Sequence, residues 1–105
     1  MDYLKKIKLI FEQHEIYKYF ELKYQEFNKS KKHPSSEGIL FESPDFSGEI
    51  FYYKNEEMEY CEMEILIYHK ENHKFKIIEK PNSIELEKSI TEFLNKSINE
   101  LNNVA

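Results

Sequence analysis

Glu59-Tyr60-Cys61-Glu62-Met63-Glu64-Ile65-Leu66-Ile67 alternates Cys61, Met63, Ile65 and Ile67 with Tyr60, Glu62, Glu64 and Leu66. Successive side chains of a β-strand point to opposite faces, so one set enters a core and the other meets solvent. This half-buried strand organises the reading of its neighbours. Residues 38–43 read as a strand with Ile39 and Phe41 on one face. Ser43-Pro44-Asp45-Phe46-Ser47-Gly48 reads as a turn, Pro44 fixing φ and Gly48 freeing it. In the strand expected over 49–54, Ile50 and Tyr52 oppose Phe51 and Tyr53, and Asn55-Glu56-Glu57-Met58 turns the chain into the strand at 59–69. A polar turn at Glu71-Asn72 leads to a last strand over 73–79, with Phe75 and Ile77 on one face. Short connections between successive strands predict an antiparallel meander.

Helices flank this sheet. Residues 2–14 carry Leu4, Ile7, Ile10 and Phe11 at helical spacing, with Asp2 placed to cap. A C-terminal helix opens at Pro81-Asn82-Ser83, with Asn82 and Glu85 at capping-box spacing or Ser83 as the cap. Leu86, Ile90, Phe93, Leu94, Ile98 and Leu101 then make a continuous apolar stripe that suits packing on one sheet face. Residues 16–27 admit two readings. Ile16, Phe20, Tyr24 and Phe27 fit a helix, whereas Phe20, Leu22 and Tyr24 fit a strand, which the aromatic content favours. Polar residues 28–37 read as a loop. The expectation is an α+β fold: an N-terminal helix, an antiparallel sheet of four to five strands, and a C-terminal helix on one sheet face.

A chain of 105 residues holds one core, so residues 1–105 are expected to form a single domain. Hydrophobic residues at 40% and charged residues at 33% fit a globular chain. Charge is uneven: residues 1–35 carry eight Lys against five acids, and 36–105 carry seven Lys against fifteen. That acidic excess disfavours nucleic acid and membrane surfaces and attracts cationic proteins. The single cysteine, Cys61, excludes an internal disulfide, and no run approaches a membrane span, so the cytoplasm is the expected location.

Catalytic signatures are sparse. His69 and His73 bracket Glu71 at metal-like spacing, but they flank a turn and lack a third ligand at a recognised spacing. Cys61 lies on the apolar side of its strand, as a structural thiol does. The two glycines, Gly38 and Gly48, make no phosphate loop. Lys29-Ser30-Lys31-Lys32-His33 is a basic patch without interleaved aromatics, and reads as a solvated loop. The carboxylates are numerous enough for an acid–base pair, which would need one acid in a desolvated pocket. No catalytic residue, cofactor or metal is expected.

Five glutamates fall within residues 56–64. Glu56, Glu57, Glu59, Glu62 and Glu64, with Tyr60 as a packing anchor, are the candidate contacts for a basic partner, and Glu42 and Asp45 are weaker ones. Tyrosines supply rigid contact area and glutamates supply steering, and Tyr52 or Tyr53 joins the patch if its strand pairs with the next.

Phe41-Glu42-Ser43-Pro44, Gly48-Glu49-Ile50-Phe51, Glu62-Met63-Glu64-Ile65-Leu66 and the helix with Ser83, Glu85-Leu86 and Phe93-Leu94 resemble the TriTu family of immunity proteins. That family serves bacterial contact-dependent growth inhibition, and the resemblance covers about residues 38–98. It implies a small cytoplasmic antidote that binds the C-terminal toxin domain of a large exoprotein. The implied toxin is a nuclease acting on transfer RNA, and elongation factor Tu can join through it. A non-catalytic adaptor for some other basic protein is the alternative.

Overall fold

The computed structural model describes residues 2–19, 22–27 and 36–102. Helices α1 (Tyr3–Gln13) and α2 (Glu15–Tyr19) lead into five strands: β1 (Lys23–Phe27), β2 (Ser36–Glu42), β3 (Phe46–Lys54), β4 (Glu59–Ile67) and β5 (Asn72–Glu79). A 3₁₀ turn at Tyr68–Lys70 joins β4 to β5, and α3 (Ser83–Asn102) follows. The strands lie in the order β1-β2-β3-β4-β5, each antiparallel to its neighbour. The fold is therefore the expected α+β meander with its full five strands.

Local chemistry explains the element ends. The Asp2 carboxylate accepts the Lys5 N–H at 3.1 Å, satisfying a donor that a helix start leaves orphaned. At α3, Asn82 Oδ1 accepts the Glu85 N–H at 2.8 Å, and Asn82 Nδ2 donates to the Glu85 carboxylate at 2.8 Å. Asn82 is thus the cap, held by Glu85 in return.

Residues 16–27 turn out to divide. Their first half continues a helix and their second half is a strand, so the strand reading fails for α2 and holds for β1. The cause is His14, which takes an extended conformation and ends α1. Its ring Nδ1 accepts the Ile16 N–H at 3.1 Å and starts the next turn of helix. Its Nε2 then carries the hydrogen and donates to Asn95 Oδ1 on α3 at 2.7 Å. No local propensity encodes a bond to a residue 81 positions away.

Both long helices cover one face of the sheet, α1 over β2 and β3 and α3 over β4, with the two helices packed together. Ile7, Phe11, Ile16, Ile39, Phe46, Ile50, Met63, Ile65, Ile67, Leu86, Ile90 and Leu94 fill the space between the layers and are fully buried. Tyr3 stacks on Tyr52 with ring centroids 3.7 Å apart, carrying α1 onto β3.

Gly48 corrects a second expectation. It lies inside β3, and neither glycine has a positive φ. Its use is close approach: an added Cβ would land on the Glu64 carbonyl oxygen and the Phe41 ring. The basic segment 29–33 and Phe20 lie outside the described residues.

Candidate functional site

The sheet face opposite the helices has no covering layer among the described residues. Register places on it Lys23, Gln25 and Phe27 of β1 and Leu40 and Glu42 of β2. Ser47, Glu49, Phe51 and Tyr53 come from β3, Tyr60, Glu62, Glu64 and Leu66 from β4, and His73, Phe75, Ile77 and Glu79 from β5. Five carboxylates therefore share one surface with a band of rings. Tyr53 and Tyr60 stack at 5.1 Å, Phe51 meets Tyr60 edge-on at 6.3 Å, and Phe27 tilts against Phe51 at 6.4 Å. A shallow concavity of about 710 Å³ runs along the Ser47 end of this face, lined by Leu40, Glu42, Ser47, Glu49, Glu64, Leu66 and His73 among others.

The centre of the face is electrostatically tight. Glu49 stands opposite Glu64 across β3–β4, and Glu62 lies two residues along. Carboxylate oxygens of the three lie within 4.8 Å of one another. Partial burial and the hydrogen bond with Glu64 push the Glu49 carboxyl up to about 7. Glu64 goes down, because Glu49 donates to it and His73 Nε2 bonds its Oε1 at 2.6 Å. Burial and then the charge of Glu64 raise Glu62. Two carboxyl groups in contact cannot both ionise freely, so they hold one proton between them near neutral pH. Chemically, the trio can attract a cationic side chain or supply hard oxygen ligands of the kind a divalent cation takes.

The sequence-derived candidates do not all meet. Tyr60, Glu62 and Glu64 lie together on the open face, and Glu42 joins them at its far end beside Lys23. Glu59 does not belong there. It has the parity of Cys61 and Met63 and accepts the Tyr52 hydroxyl at 2.5 Å, so its grouping with the other candidate contacts is corrected. The pairing suits both partners, since burial and Glu59 together hold Tyr52 protonated far above the usual phenol range. Glu56 and Glu57 sit in the exposed turn between β3 and β4, where Asn55 Oδ1 accepts the Glu57 and Met58 N–H groups at 2.8 and 2.7 Å. Asp45 lies in the β2–β3 turn, at the other end of the β3 strand. Of the aromatic alternatives Tyr52 is buried, and Tyr53 is the one that reaches the patch.

Glu49, His73, Phe75 and Ile77 also stand on this open face, and reading along the chain did not join them to the candidate patch. Their signal existed only in part: alternation in 73–79 put Phe75 and Ile77 on one face, but nothing local said that this face lacks a cover. Phe75 is 63% exposed and Ile77 49%. His69 falls in the 3₁₀ turn while His73 bonds Glu64, so the two histidines serve different elements. Cys61 is fully buried, and burial pushes its thiol up to about 12. No helix among the described residues is long and apolar enough to cross a membrane. Compared with protein-family models, curated proteins and solved structures, the chain shows no match to any.

Proposed function

We propose that this chain is a non-catalytic immunity protein that captures a basic nuclease toxin domain on the open face of its sheet. The observation that carries the reading is that face itself: Glu42, Glu49, Glu62, Glu64 and Glu79 interleaved with Phe51, Tyr53, Tyr60 and Phe75 and uncovered among the described residues. A nuclease holds phosphates in a basic cleft, and an acidic surface with aromatic anchors is complementary to it in charge and in the residue types that carry binding energy. The step from a basic partner to a transfer-RNA nuclease rests on the family resemblance in residues 38–98. Elongation factor Tu enters only through the toxin, and the cytoplasm is where such an antidote acts.

The test is titration of the purified chain into the toxin domain encoded beside it, followed by a transfer-RNA cleavage assay with elongation factor Tu present. Nanomolar binding with loss of cleavage is the expected result. Binding without loss of cleavage would make the chain an adaptor, and no binding would overturn the reading.

A further inference from the structure

The outer rim of β5 is the second uncommitted feature of the sheet. Lys80 N–H donates to the Glu59 carbonyl at 3.1 Å, which sets the phase of the β4–β5 ladder. In antiparallel pairing the bonded residues alternate, so Ile78, Lys76 and Lys74 bond back to β4. The backbone groups of His73, Phe75, Ile77 and Glu79 therefore point out from the sheet, and no strand among the described residues pairs with them. Those same residues carry the two most exposed large apolar side chains of the face, Phe75 and Ile77. An eight-residue rim without proline is a template for another strand.

We propose that β5 pairs edge to edge with β5 of a second copy of this chain, antiparallel about a two-fold axis at Lys76. A two-fold interface must be self-complementary, each contact occurring twice. The register centred on Lys76 uses all four outward-facing residues and satisfies that demand. Phe75 lies opposite the partner's Ile77, and His73 lies opposite the partner's Glu79. An apolar pair and an imidazole–carboxylate pair thus repeat on either side of the axis. On the other face Lys74 is held by Glu100 at 2.7 Å, which leaves Lys76 to face its own counterpart. That like-charge contact keeps the association weak. The product is a ten-stranded sheet with both acidic faces on one side. This inference does not depend on the nuclease reading, because it concerns the free chain.

The experiment is sedimentation equilibrium of the free chain from micromolar to several hundred micromolar, joined to register-specific crosslinking. Lys76 and its counterpart form a non-hydrogen-bonded pair with Cα atoms about 4.5 Å apart, within disulfide reach. Lys76→Cys should therefore oxidise to a covalent dimer. Lys74→Cys, about 14 Å from its counterpart in this register, should not. Phe75→Lys should weaken association at least about tenfold while leaving the circular dichroism spectrum unchanged. His73→Glu should weaken it too, and adding Glu79→Lys should restore it. A chain that stays monomeric throughout the range overturns the proposal, as does crosslinking at position 74 equal to that at 76.

Discussion

Glu49 on β3 stands directly opposite Glu64 on β4, and the two carboxyl groups share a hydrogen bond. Their titration is pulled apart, Glu49 up to about 7 and Glu64 below its ordinary value. One group therefore holds the proton that the other has given up, in the middle of the face proposed to receive cationic side chains.

This pair sets a pH dependence of stability. Between the ordinary carboxylate range and about 7, the unfolded chain has lost the Glu49 proton while the folded chain keeps it. Stability therefore falls as pH rises through that window. Glu64 acts in the opposite sense, its contribution being lost only as pH falls through its lowered value. Glu49→Gln should remove the decline between pH 5 and 8, a gain at the alkaline end on the order of 1 kcal/mol once solvent screening is allowed for. Urea midpoints at pH 5, 6, 7 and 8 check this, and parallel curves for the two proteins would refute it.

Binding should respond to the same proton. A cationic side chain seated between Glu49 and Glu64 favours the doubly ionised pair, so complex formation releases a proton. The affinity for the toxin domain should be higher at pH 8 than at pH 6, and calorimetry in buffers of different ionisation enthalpy should record the release. Glu49→Gln should abolish it.

Charge reversal locates the surface. Glu62→Lys with Glu64→Lys should weaken toxin binding by about 3 kcal/mol or more, since both carboxylates stand at the centre of the face. Glu56→Lys with Glu57→Lys, at the exposed turn, should change affinity by less than about 1 kcal/mol. If the turn pair proves the more damaging, the open face is not the binding surface.

The crossing of β3 and β4 depends on a missing side chain. Gly48→Ala places a methyl group against the Glu64 carbonyl and the Phe41 ring, and backbone cannot step aside as a flexible side chain can. A loss of about 3 kcal/mol is expected in chemical denaturation.

His14 joins three helices through one ring. His14→Ala leaves the Ile16 N–H and the Asn95 side chain without it, and should cost about 2 to 3 kcal/mol. Asn95→Ala should cost less, because Asn95 is exposed and the His14 nitrogen can then meet water.

Cys61 should be inert in the native state. Its sulfur is fully buried and its thiol is pushed up to about 12, so an aromatic disulfide reagent should label it only at the rate of unfolding. Rapid labelling without denaturant would contradict the packing of β4.

Much of this molecule was legible along the chain. Alternation in 59–67 placed Cys61, Met63, Ile65 and Ile67 inward, and Tyr60, Glu62 and Glu64 outward, because strand side chains alternate whatever the surroundings. Asp2 and Asn82 announced their helices, since capping is a contact between residues three apart. The same alternation already implied that Glu59 faces inward; reading residues 56–64 as a single acidic run hid it. The tertiary structure decided what depends on residues distant in sequence. Register put Glu49 against Glu64, and a slip of one residue would have turned either carboxylate to the covered face. The bond from His14 to Asn95 ties the break between α1 and α2 to α3. The placing of both long helices on one side left Phe75 and Ile77 exposed, because a strand pattern names two faces and only packing chooses which one is covered.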